Sequence, residues 1–102
     1  MRYKCWVAIR GFARKAVEDF FLTGRIPRRV GWASVGNVVK RKLDMVDYAV
    51  ALSDLSSPLG NRLEALRGDL KGLHSIRVND QWRIVFRWTA EGPDAVDVRD
   101  YH

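Results

Sequence analysis

Around Asn61 the apolar residues stop recurring every three to four positions and begin to alternate at every second one. A helix buries one face at a period of 3.6 and a strand at a period of 2, so this chain must be helical first and sheet-like afterwards. Upstream, Phe12, Ala16 and Phe20, with Val17 and Phe21 beside them, predict a helix from Phe12 that Thr23-Gly24 closes. Glycine is the residue favoured just past a helix end. Pro27 opens a connection. Val35, Val39, Leu43, Val46 and Val50 then predict the buried stripe of a second helix starting near Ser34, with Lys40, Arg41 and Lys42 mostly off that stripe. CWVAI, residues 5–9, predicts a first strand, and SSPLGN, residues 56–61, interrupts the pattern.

Beyond the interruption, residues 62–66 predict a strand with Leu63 inward, and RGDLKG a polar turn. Residues 75–78 and 81–89 predict two strands joined by a two-residue loop, Asn79-Asp80, of the kind that accepts positive φ. EGPD predicts a second turn into a last strand, residues 95–101. Helices followed by an antiparallel meander predict an α+β fold, with two N-terminal helices packed on one face of a twisted antiparallel sheet.

Alternation assigns the faces of that sheet. Ile76, Val78, Trp82, Ile84, Phe86, Trp88, Val96 and Val98 point to the core. Ser75, Arg77, Arg83, Val85, Arg87, Asp97, Arg99 and Tyr101 point away, which places four arginines and a tyrosine on one open face opposed only by Asp97. Guanidinium groups beside an aromatic ring suit an RNA backbone and a stacked base; an ordinary solvated face would carry similar residues.

Charge points the same way. Residues 1–61 hold eleven of the eighteen Lys/Arg and five of the twelve Asp/Glu, so the whole net charge of +6 lies in that half. An anionic partner, nucleic acid or an acidic protein, follows from it. With 102 residues, 47% hydrophobic content and four tryptophans the chain predicts a single domain over 1–102, not a disordered one. The lone Cys5 makes no internal disulfide, and no apolar run suits a signal peptide or the roughly 20 residues of a membrane span. The expected setting is the cytoplasm.

The segment LEALRGDLKGLHSIRVNDQWRIVFRW, followed by DVRDYH, resembles the HigB toxins of the RelE/ParE superfamily. The shared pieces are an L-x-x-L-[KR]-G-D-x-x-G turn, an S-I-R-V-N-D-Q-W-R-I-x-F hairpin and a terminal D-Y-H. IRGF and FARKAVEDFFLTGRIP upstream are similar to the family's N-terminal part. The resemblance implies a RelE-like fold and a bacterial toxin of a type II toxin–antitoxin pair that enters the ribosomal A site and cuts mRNA during translation. It implies two partners, the ribosome with its mRNA and rRNA, and a HigA-like antitoxin with a helix-turn-helix domain.

Carried over by motif, the basic residue of the turn is Arg67, the arginine of W-R-I is Arg83, and the terminal acid, aromatic and imidazole are Asp100, Tyr101 and His102. Where some members carry a histidine three residues before the basic one, this chain has Glu64, which leaves the general base open. RNA cleavage needs a base for the 2′-hydroxyl, cations for the crowded phosphate and an acid for the departing 5′-oxygen. Arg83 and Arg67 fit the cationic role, since guanidinium grips phosphate in bidentate fashion. His102 fits acid or base, Asp100 its orientation or an ion pair, and Tyr101 stacking or a hydrogen bond. Glu64 would serve as base only with a raised pKa. Arg77, Arg87, Arg99 and Lys71 would follow the RNA, and Lys40, Arg41 and Lys42 would meet ribosomal RNA or antitoxin acids. Two histidines, one cysteine and scattered carboxylates show no ligand spacing, so the expected chemistry uses no metal and no cofactor. The rival readings are a ParE-like inhibitor of DNA gyrase and an RNA-binding module without catalysis.

Overall fold

The structure is a computed structural model that describes residues 9–57 and 59–100. Two α-helices, α1 (Lys15–Thr23) and α2 (Gly36–Tyr48), are followed by four strands: β1 (Glu64–Ala65), β2 (His74–Arg77), β3 (Trp82–Thr89) and β4 (Gly92–Asp100). The strands form one sheet in the order β1-β2-β3-β4, with every neighbouring pair antiparallel. Of the first strand expected from sequence, residues 5–8 lie outside the described residues; Ile9 is buried. Among the described residues no helix is long and apolar enough to cross a membrane.

Helix α1 opens at Lys15, three residues later than its period predicts, because the chain before it has another task. Residues 10–13 run beside the outer edge of β4: the Ala13 amide donates to Val96 O at 2.9 Å and the Val96 amide to Gly11 O at 3.1 Å. A bare strand edge exposes unpaired donors and acceptors, and this segment covers it. Phe12, bridged to Val96, still reaches the apolar layer and packs on Phe21 at 5.6 Å between ring centroids. The helix ends as its sequence predicts. Gly24 adopts φ 78° and its amide donates to Phe20 O at 2.8 Å.

In α2, Val39, Leu43 and Val46 are completely buried, but the stripe departs from expectation at two places. The helix ends at Tyr48, so Val50 lies beyond it and is 87% exposed. Lys42, expected off the stripe, is buried. It stands three residues after Val39 and four before Val46, on the inward side of the turn. Its ammonium donates to Asn61 Oδ1, and burial, with Arg41 and Arg77 adding to it, pushes the Lys42 pKa below the usual lysine range. Asn61 is itself fully buried, and its Nδ2 donates to Leu55 O at 3.2 Å and Ser57 O at 3.3 Å, pinning the segment between α2 and the sheet.

The sheet also corrects one strand and two turns. Arg62 adopts φ 46°, which breaks extended backbone, so β1 begins at Glu64 and has two residues instead of five. Between β2 and β3 the Val78 amide donates to Trp82 O at 2.9 Å, and Asn79 Oδ1 accepts from the Gln81 and Trp82 amides at 2.9 and 2.8 Å. The loop is therefore closed by the Asn79 side chain, and neither Asn79 nor Asp80 has positive φ. EGPD is not a turn: the turn is Ala90-Glu91, and Gly92, Pro93 and Asp94 belong to β4. Pro93 is tolerated because it sits in the last strand, where its carbonyl accepts from the Arg10 amide at 2.7 Å and no N–H is required. A bulge follows. Val85 pairs with Asp97 but Arg87 with Asp94, so Phe86 faces two residues, and Ala95 takes φ 52°.

Between the helices and one face of the sheet lies the core, where Phe20, Trp32, Val39, Leu43 and Val46 meet Ile76, Ile84, Phe86, Val96 and Val98. Trp82 and Trp88 pack on its margin, as their alternation predicts.

Candidate active site

The opposite face carries the arginines, and the strand register fixes their order. Arg77 pairs with Arg83, and Arg83 with Arg99, so three guanidinium-bearing residues stand in one row across β2, β3 and β4. Strands lie about 4.8 Å apart, and like charges directly opposite repel, so such a row calls for anions. The neighbouring row, Glu64, Ser75, Val85 and Asp97, runs parallel to it.

This face is not open as the alternation alone suggests. Ser75, Arg83, Val85 and Asp97 are all buried. For Ser75, Arg83 and Val85 the reason is the segment after β1: Gly68 (φ 66°) and Gly72 (φ 95°) let residues 67–73 curl through a short 3-10 turn, Gly68–Leu70, and bring Leu66 and Leu70 over the sheet. Leu66, Leu70, Ser75, Arg83, Val85, Arg99 and Asp100 line a pocket of about 190 Å³. One wall is apolar and the other cationic, which suits a ligand with a flat apolar part and an anionic part.

Arg83 is the centre of the pocket's polar wall. Its Nη1 donates to Glu64 Oε1 at 3.0 Å and lies 3.5 Å from Ser75 Oγ. Arg77 pairs with Asp80 at the hairpin end of the row. Arg99 is exposed at the mouth, and Asp100 accepts from Gln81 Nε2 at 2.9 Å. Arg67 is exposed at the start of the curled segment, next to Leu66 of the pocket wall. Lys71 and Arg87 are exposed as well, and a Cβ on Gly72 would come within 3.3 Å of Arg87 Nη1, which places that guanidinium against the same segment.

Glu64 and Asp80 thus join Asp97 as carboxylates that meet the arginines of this face, pairing with Arg83 and Arg77, while Asp97 feels Arg99. Asp97 turns to Arg14 at the start of α1, with Oδ2 3.3 Å from Arg14 Nε, and its Oδ1 accepts from the Val98 amide at 2.8 Å. Burial nevertheless raises the Asp97 pKa above its ordinary 3.8, against the opposing pull of Arg14, the Val98 amide and Arg99. A carboxyl group raised by folding is happiest neutral, so its contribution to stability is fully present below 3.8 and is lost as pH rises through the raised folded value. Asp97→Asn should therefore melt higher than the parent protein at pH 7, with the difference closing as pH falls below 3.8. A variant melting lower at pH 7 would mean that Arg14 outweighs burial.

The structure brings Arg83, Arg99, Asp100 and Glu64 together, with Arg77 beside them in register. It does not bring Lys40, Arg41 and Lys42 there, since α2 packs on the other face. Lys40 pairs with Asp44 at 2.7 Å and stands 5.2 Å from the Phe21 ring centroid; Arg41 is exposed and Lys42 is buried, so Lys42 offers no surface to an RNA or an antitoxin. Tyr101 and His102 lie outside the described residues. Sequence reasoning missed the Leu66 and Leu70 wall; their spacing of four was the signal for a turn presenting both to one side.

The family model described as the RelE-like toxin of type II toxin–antitoxin system HigB matches residues 10–102. Toxin HigB-1 of Vibrio cholerae is 46% identical over 77 residues, which are 76% of this chain and 80% of that protein. An uncharacterized protein of Haemophilus influenzae is 41% identical over 51 residues, half of either chain.

Proposed function

This chain belongs to the HigB-like, RelE-like toxins of type II toxin–antitoxin systems, and from that premise we propose that it is a ribosome-dependent endoribonuclease cutting mRNA in the A site. The observation that carries this reading is the buried Arg83 at the middle of the in-register row Arg77, Arg83 and Arg99, facing a pocket with an apolar wall. A row of cations needs an anion at its centre, and a phosphodiester with its base supplies both chemistries the pocket presents.

In the proposed reaction the 2′-hydroxyl of one nucleotide loses its proton to a base and attacks the adjacent phosphorus. The bond to the 5′-oxygen breaks, that oxygen takes a proton from an acid, and a 2′,3′-cyclic phosphate remains. Arg83, with Arg67 from the rim, binds the charge that builds on the phosphate oxygens, and no metal is required for that role. His102 supplies acid or base, Asp100 orients it, and Tyr101 stacks on a base or donates a hydrogen bond. Arg77, Arg87, Arg99 and Lys71 follow the RNA backbone, while Lys40 and Arg41 face ribosomal RNA or acidic groups of the antitoxin. A toxin of this type has an antitoxin partner; we propose a HigA-like one with a helix-turn-helix domain, acting with this single-domain toxin in the cytoplasm.

Primer extension on a reporter mRNA tests the reading, once in a translating extract and once with the same RNA without ribosomes. Cuts within codons only during translation are expected. Absence of cuts in both, with the protein folded, would move the function to gyrase inhibition or to RNA binding without catalysis.

A further inference from the structure

Arg83 and its counter-anion are not equally fixed. The Arg83 side chain is 9% exposed and sits mid-sheet, whereas the Glu64 side chain is 47% exposed and hangs from a strand of two residues. The same asymmetry recurs next to it: Arg77 is 32% exposed and its partner Asp80 is 99% exposed. In both pairs the cation is the more enclosed partner and the carboxylate can swing out into water; at Arg83 that leaves a buried guanidinium which the incoming anion must compensate. Glu64 Oε1 meets Arg83 Nη1 at 3.0 Å, the edge of the guanidinium that a phosphate oxygen would use, so the carboxylate stands where such an oxygen would bind.

We propose that Glu64 is a displaceable counter-anion: it holds Arg83 in place in the free protein and yields that N–H to an RNA phosphate, and so acts as a positioning residue and not as the base that takes the 2′-proton. The inference rests on the nuclease reading above and assigns a role within the same pocket. It explains why a row of three arginines is stable without RNA, since Glu64 relieves the repulsion Arg83 feels from Arg77 and Arg99. It also sets the affinity, because every phosphate that binds must first displace the carboxylate.

The test uses the full chain, its Glu64→Gln and Arg83→Ala variants and the double variant. Binding is measured to ribosomes programmed with an mRNA whose A-site codon is 2′-deoxy, which removes the attacking hydroxyl. Cleavage of the ordinary mRNA is followed under single-turnover conditions across pH. Glu64→Gln should tighten binding about two- to fivefold, as expected for losing one competing, partly exposed charge. It should also steepen the salt dependence by up to about 0.7 in log–log slope. The gain should vanish in the Arg83→Ala background, and the cleavage rate should fall less than tenfold with its pH profile unmoved.

Unchanged affinity while the wild type cleaves normally would overturn the counter-anion role and leave the nuclease reading standing. A rate loss of about 10²–10⁴-fold with the acidic limb of the profile gone would make Glu64 the base instead. An equal affinity gain in the Arg83→Ala background would reduce the effect to general charge. Wild-type protein that neither binds nor cleaves on programmed ribosomes would overturn both readings together.

Discussion

Arg83→Ala is expected to lose toxicity and to cut mRNA on the order of 10³-fold more slowly, while remaining folded. The rate loss follows from position: the guanidinium is the central cation of the row, it is buried, and in a water-poor pocket a donor aimed at developing phosphate charge contributes far more than on a surface. That the fold survives follows from its partners. Removing Arg83 frees Glu64, which is half-exposed and becomes hydrated, and takes from buried Ser75 Oγ a donor that is only 3.5 Å away at best, while it also removes the repulsion with Arg77 and Arg99. Burying a carboxylate with no partner would be costly, but this one is not buried. Arg83→Lys keeps a charge but not the planar fork, so its rate should fall between the two. Single-turnover cleavage in a translating extract, with thermal melts of each protein, separates these outcomes. A folded Arg83→Ala protein of full toxicity would remove the pocket from the chemistry.

The faces of the sheet were legible in sequence because a strand between a core and a polar side must alternate: Ile76, Ile84, Phe86, Val96 and Val98 are all buried in the core, and the arginines of β2 and β3 are on the other side. Which arginines stand abreast was not. Register depends on the Asn79 side chain closing one hairpin and on the bulge at Ala95 beside Phe86, and neither leaves a periodic trace. Gly92-Pro93 reads as a turn from composition, since only the three-dimensional fold places that proline on the outer strand, where a missing N–H does no harm. Lys42 was misplaced because a charged side chain on a helix is normally outside, although its spacing from Val39 and Val46 already put it inward. The ion pair of Glu64 with Arg83 joins residues 19 apart in sequence and on strands that are not neighbours in the sheet, so no local pattern announces it.

Asn61→Ala should produce the largest loss of stability among the polar positions, about 3 kcal/mol, or roughly 15 °C in melting temperature for a domain of this size. The side chain is fully buried and does three things at once: it accepts from the Lys42 ammonium and donates to the Leu55 and Ser57 carbonyls. Alanine leaves a buried cation without that acceptor and two carbonyls without that donor, and unsatisfied buried groups cost more than the bonds themselves contribute. The pH dependence has a definite sign. Burial already lowers the Lys42 pKa below 10.5, so folding favours its neutral form, and losing Asn61 lowers it further. The penalty is therefore full at neutral pH and shrinks as pH rises through the folded value towards 10.5. Lys42→Met in the Asn61→Ala background should recover part of the loss by replacing the stranded ammonium with an apolar chain, a coupling that a double-mutant cycle in urea measures directly. A cost below about 1 kcal/mol, or no recovery on removing Lys42, would show that water satisfies the site. Because Asn61 precedes Glu64 by only three residues but lies away from the pocket, Asn61→Ala at low temperature should still cleave mRNA, which separates the residue that holds this segment down from the arginines that act on RNA.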